Sequence, residues 1–145
     1  MPTPPLDPAE RRRRLARMIR VDHAGEFGAQ QIYAGQLAVL GDSAAADDLE
    51  HMRAQEVAHL RHFEKLMVDR RVRPTVLHPL WQAAGFALGA GTALMGEKAA
   101  MACTIAVEEV IDEHYAQQIN ELRADPAERE LADDLERFRQ EEADH

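Results

Sequence analysis

An all-α helical bundle is predicted by three observations. Ala, Leu, Glu and Arg dominate the 145 residues, only seven residues are aromatic, and strand patterns are almost absent. Apolar residues recur at three- and four-residue steps, the period of one helix face. The chain also repeats itself: ADDLEHMRAQEVAH (46–59) returns as ADDLERFRQEEADH (132–145), 86 residues later, with eight of fourteen positions identical. The length suits a single domain over 1–145 with a core of its own.

Residues 1–8 read as a polar lead-in without the apolar run of a signal peptide. A first helix is expected from about Pro8 to Leu40, opening on the basic turn Arg11–Arg14, which is either solvated or in contact with anionic lipid. Gly41 is its stop, with Asp42 and Ser43 as candidate caps for a second helix from about Ala44 to Arg70. Along that helix Leu49, Met52, Glu56, His59, Leu60, Phe63, Leu66 and Met67 form one stripe, with a Glu and a His inside an otherwise apolar face.

Pro74 and Pro79 break the chain. From Pro74 to Gly96 there is no Asp, Glu, Lys or Arg over 23 residues, but the truly apolar part, AAGFALGAGTALMG, is only 14 residues long and rich in glycine. That is short of the roughly 20 residues a membrane span needs. A helix in a membrane interface or packed over the bundle fits better, and an ordinary buried helix competes equally. A fourth helix is expected from about Glu97 to Ala124. Asp125-Pro126 then caps and opens a fifth that runs to His145 without a terminator, so the sequence reads as part of a longer one.

The net charge of −9 argues against nucleic-acid binding. Cys103 is the only cysteine, which rules out an internal disulfide and Cys-rich metal sites. The duplicated Glu-x-x-His pairs, Glu56/His59 and Glu142/His145, carry the chemistry. Residues three apart share a helix face, so each pair can hold one metal ion through an oxygen and a nitrogen, a donor set suited to iron or manganese. A two-metal bundle of this kind needs one further Glu from each of two other helices. Glu26 is one. Glu108 and Glu109 compete for the other, and the repeat decides: Tyr33, Gln36 and Leu37 follow Glu26 at the offsets at which Tyr115, Gln118 and Ile119 follow Glu108. Glu26 stands among small and apolar neighbours, where an uncompensated carboxylate is costly. Four glutamates bring four negative charges, and two divalent ions cancel them.

Weaker candidates surround this set. His23 and His114 read as hydrogen-bonded bundle residues, with His114 and Tyr115 also candidates for contact behind the ligands. Tyr33 is either such a contact or packed core. His51 and His62 read as surface, and Met52, Met67, Met95 and Met101 as core.

The segments RVDHAGEFGAQQIYAGQ, EVAHLRHFEKLM, MACTIAVEEVIDEHYAQQI and FRQEEADH, in that order, resemble the demethoxyubiquinone hydroxylases, ferritin-like di-iron enzymes of ubiquinone biosynthesis. The resemblance implies a ferritin-like four-helix bundle with an inserted apolar interfacial helix. Two iron ions would be held by Glu26, Glu56, His59, Glu108, Glu142 and His145. It further implies an O₂-dependent monooxygenase that hydroxylates the ring of a prenylated demethoxyubiquinol, working at a membrane. In bacteria that means a peripheral protein on the cytoplasmic face of the inner membrane, as a homo-oligomer or in a biosynthetic complex. The Pro74–Gly96 segment would then meet lipid and admit the prenyl chain. The family continues past its last Glu-x-x-His with another apolar stretch, which this sequence lacks. A ferritin- or rubrerythrin-like iron oxidase or peroxide scavenger shares all six ligands. Against it stand the uncharged segment and the lack of a Cys-x-x-Cys. A metal-free helical interaction module is the third reading.

Overall fold

The structure, a computed structural model, describes residues 7–143. They form five α-helices and one short 3₁₀ turn: α1 Pro8–Leu40, α2 Ala46–Asp69, α3 His78–Leu94, α4 Glu97–Arg123, the turn Pro126–Glu128, and α5 Arg129–Ala143. The all-α expectation is met, and among the described residues there is no strand.

Each helix begins for a local reason. Asp7 caps α1 by accepting from the backbone N–H groups of Ala9 (2.8 Å) and Glu10 (3.0 Å), with Pro8 at the first helical position. The basic turn that follows is tied down: Arg11 lies 3.3 Å from Asp125, and Arg14 pairs with Glu121 on α4. The cap expected for α2 is not made. Ser43 instead closes the preceding turn, donating its hydroxyl to Leu40 O (2.8 Å) and accepting from Ala45 N–H (3.2 Å), and α2 starts uncapped at Ala46. Pro79, expected as a break, lies in the first turn of α3, where its missing N–H costs nothing. Gly96 joins α3 to α4 at φ +117°, a conformation that favours glycine. Asp125 accepts from Ala127 N–H (3.0 Å), but Pro126 opens a 3₁₀ turn before α5 rather than α5 itself.

The core is built from the expected stripe of α2 (Leu49, Met52, Phe63 and Met67) together with Ile19, Ile32 and Tyr33 of α1, Ile111, Tyr115 and Leu122 of α4, and Leu135 and Phe138 of α5. Met101 packs against it half-buried. Met95 does not: it ends α3 and is 78% exposed. His62 is half-buried rather than a surface residue, edge-on to Phe63 and Phe138 with Nε2 3.0 Å from Asp134.

The apolar segment becomes α3, which lies along α1 and also touches α4. Glycines set how closely α1 and α3 meet. A Cβ on Gly89 would stand 1.9 Å from Ile32 O, and one on Gly35 2.3 Å from Phe86 O, so the two backbones touch where side chains would normally keep them apart. Trp81 reaches from α3 to donate its indole N–H to Ala24 O at 2.8 Å. The outer face of α3 remains apolar and exposed at Leu80, Leu88 and Leu94. No helix among the described residues is long and apolar enough to cross a membrane.

Candidate metal centre

The interior of the bundle gathers Glu26 from α1, Glu56 and His59 from α2, and Glu142 from α5. All four are buried, and each offers a ligand atom within 4.8 Å of the others. Glu56 and His59 meet because three residues on one helix place them on the same face. His59 is the hub. Its Nδ1 lies 3.5 Å from Glu26 Oε2, 3.6 Å from Glu142 Oε1 and 3.9 Å from Glu56 Oε2. Its ring stacks on Phe138 at 4.3 Å, and its Nε2 meets Glu141 Oε2 at 2.5 Å.

Glu141 escaped the sequence reading, although its position beside Glu142 in the repeated segment was the available signal. It takes the place that carboxylates take behind metal-binding histidines: it fixes the far ring nitrogen and leaves Nδ1 on the side of Glu26, Glu56 and Glu142.

Tyr115 on α4 donates its hydroxyl to Glu26 Oε1, and Tyr33 on α1 donates to Glu108 Oε1 at 3.4 Å. Glu108 itself is only half-buried and lies outside the group of four; it faces the α4–α5 side, with Glu142, on a cavity that Arg139 also lines. His145 falls outside the described residues. His114 is exposed and lines the cavity beside Tyr115. His23 is buried away from the centre, stacked with His78 at 5.8 Å.

The electrostatics of the four call for a cation. Burial raises the Glu26 pKa, with His59 and Tyr115 pulling the other way. Burial by itself would lower the pKa of His59, but the carboxylates of Glu142 and Glu26 close to its ring raise it to about 10. Even so, Glu26 Oε2 and both oxygens of Glu56 are sealed from solvent and accept no hydrogen bond among the described residues. Orphaned carboxylate oxygens converging with an imidazole nitrogen fit a divalent ion of intermediate softness. Next to Glu26 opens a cavity of about 300 Å³, walled by Val21, Ala24, Trp81, Val110, Ile111 and Tyr115, its surface almost wholly apolar.

These features define an all-α protein with a buried carboxylate–histidine centre that could hold metal, set beside an apolar cavity. The family model described as "Ubiquinone biosynthesis protein COQ7" matches residues 13–145, and the chain belongs to that family. It is 60% identical over 132 residues to the 3-demethoxyubiquinol 3-hydroxylase of Rhodospirillum rubrum, covering 90% of this chain and 61% of the relative. The human NADPH-dependent 3-demethoxyubiquinone 3-hydroxylase, mitochondrial, is 56% identical over 131 residues, with 89% and 60% covered. The 5-demethoxyubiquinone hydroxylase of Saccharomyces cerevisiae is 47% identical over 146 residues, with 90% and 63% covered. The chain thus spans about 60% of the length of the first two of these relatives.

Proposed function

We propose that this chain is the ferritin-like di-iron domain of a monooxygenase that hydroxylates the ring of a prenylated demethoxyubiquinol in ubiquinone biosynthesis. The observation that carries the reading is the buried group Glu26, Glu56, His59 and Glu142, of which Glu26 lines an apolar cavity. Family membership and the printed names of the relatives support it. Glu108 and His145 would complete the ligand set, so that each half supplies a Glu and a Glu-x-x-His.

Two iron ions held there would supply the redox chemistry that activates O₂. The balance is one ring C–H bond, O₂, two electrons and two protons in, and one ring C–OH and one water out. The human relative's name gives NADPH dependence to that protein, and a nicotinamide donor of the two electrons is proposed here as well.

The protein's own residues have separable tasks. Glu56 and Glu142 set the charge of the centre. Glu141 fixes the orientation of His59, and Tyr115 holds Glu26 by one oxygen and leaves the other toward the centre. The apolar walls receive a quinol ring and exclude water. The exposed face of α3, with Leu80, Leu88 and Leu94, would lie in the lipid interface, from which a prenyl chain enters. In a bacterium that makes a peripheral protein on the cytoplasmic side of the inner membrane.

The test is the anaerobic, Fe(II)-loaded protein mixed with a short-chain demethoxyubiquinol and isotopically labelled O₂, read by mass spectrometry. One labelled oxygen in a ring-hydroxylated product is expected. Iron oxidation without product, repeated in a C-terminally extended chain, would overturn the reading in favour of a ferritin-like iron oxidase.

A further inference from the structure

Asp22 lies one turn before Glu26 on α1 and is 5% exposed. It lines the same apolar cavity as Glu26 and Tyr115. Its Oδ1 is sealed from solvent and has no hydrogen-bond partner among the described residues. The same holds for Oε1 of Gln118, whose carboxamide faces Asp22 from α4. Both atoms are acceptors. One proton satisfies both, because a carboxylic acid donates O–H to the amide oxygen while the amide N–H donates back to the other carboxyl oxygen.

The internal duplication bears on the same point independently. The shift of 82 residues that carries Glu26 to Glu108 carries Gln36 to Gln118 and Asp22 to Thr104. In that other pair, Thr104 donates its hydroxyl to Gln36 Oε1 at 3.3 Å, and Gln36 donates its amide to Ala100 O at 3.0 Å. The residue facing the glutamine is there an O–H donor, and Asp22 can fill that role only when it carries a proton. Its surroundings agree. Burial raises its pKa well above the usual carboxylate range, the charge of Glu26 adds to the rise, and the Gln118 hydrogen bond opposes it. The groups around it are Gln118 and Tyr115 from α4, Glu26 from its own helix, Trp81 from α3 and the exposed His114; among the described residues no Lys or Arg lines the cavity.

We propose that Asp22 is held as a neutral carboxylic acid paired with Gln118, and that it is the proton donor of the cavity beside Glu26. The donor role rests on the hydroxylase reading, in which the oxygen atom that leaves as water takes up two protons. Asp22 gives one: its O–H bond breaks as an O–H bond of that water forms. The resulting carboxylate is held by the Gln118 N–H until a solvent proton, entering on the exposed His114 side, restores the acid.

The first measurement is infrared spectroscopy of the zinc-loaded chain at neutral pH, in H₂O and in D₂O. The difference between wild type and Asp22→Asn should contain a carboxylic-acid C=O band that shifts on deuteration. Asn keeps the pairing with Gln118, so this variant isolates the proton from the packing. A difference that shows only a carboxylate band would overturn the proposal. The second measurement takes the iron-loaded protein with quinol, at matched iron content, in wild type, Asp22→Asn and Asp22→Thr, the last being the residue the other half uses. Both variants should turn over on the order of 100-fold more slowly, with a larger share of the consumed O₂ released as hydrogen peroxide. Unchanged turnover and coupling would overturn the donor role. A wild-type protein that makes no hydroxylated product would sink the hydroxylase reading and the donor role with it, while the infrared band still decides the protonation state.

Discussion

The hydroxyl of Tyr115, on α4, donates to Glu26, on α1. Tyr33, seven residues after Glu26, returns the bond to Glu108, seven residues before Tyr115. Each half of the duplicated chain therefore uses its tyrosine to hold the glutamate of the other half. Tyr115→Phe leaves an oxygen of a fully buried carboxyl group without its donor, and should destabilise the metal-free protein by about 1–3 kcal/mol. Tyr33→Phe, whose bond is longer and whose partner is half-buried, should cost less. Urea unfolding of the two variants checks the order.

Glu56 offers a test in which stability and metal binding move in opposite directions. Both of its oxygens are buried without a hydrogen bond among the described residues. Glu56→Gln should stabilise the metal-free chain, because three buried carboxyl groups share the one His59 imidazolium and the change removes one of them. The same change should weaken metal binding by at least tenfold, because it removes a ligand. Thermal melts with and without Co(II), alongside a Co(II) titration, measure both effects. Losses in both would place Glu56 in an ordinary ion pair instead.

Removal of Glu141 should act through His59 alone. Glu141→Gln leaves the ring a weaker partner at Nε2, and a loss of about 10- to 100-fold in affinity at one metal position is expected, with little change in stability. Metal titration followed by stoichiometry at saturation distinguishes this from loss of the site.

The metal-free protein should lose stability as pH rises from about 6.5 to about 10. His59 has its folded pKa raised from 6.5 to about 10, so its contribution is complete below 6.5 and disappears as pH climbs through the folded value. The raised values of Glu26 and Asp22 have the same sign, since in both the folded state favours the protonated form. Urea midpoints at several pH values read this directly, and a midpoint that rises over that window contradicts it.

Gly89→Ala should strain the contact of α3 with α1, because the new methyl would fall 1.9 Å from Ile32 O, a backbone atom that cannot swing aside. Overpacking of this kind costs about 1–3 kcal/mol. Gly91→Ala, with open space around its Cβ position, should be neutral or slightly stabilising. The pair of melts separates close packing from helix propensity.

Most of the helix layout was legible because apolar spacing and capping are local. Pro8 announces α1, and the stripe from Leu49 to Met67 announces the buried face of α2. Glu26, Glu56, His59 and Glu142 were legible because the chain states its Glu-x-x-His twice. What local pattern could not give was the partner of each group across the bundle. Nothing near Ser43 says that its hydroxyl will turn back to Leu40, nothing near Asp22 points to a glutamine 96 residues away, and Met95 reads as core until the end of α3 leaves it in the open.

The backbone contact between α1 and α3 also limits how the molecule can breathe. Gly35 and Gly89 bring the two backbones together with no side chain between them, so the two helices should move as one stiff plate. Any tilt imposed on α3 from outside is delivered to Glu26 on the same plate. A bulky guest would then have to be admitted on the α4 wall of the cavity, where the exposed Val110 and His114 can give way without parting that seam.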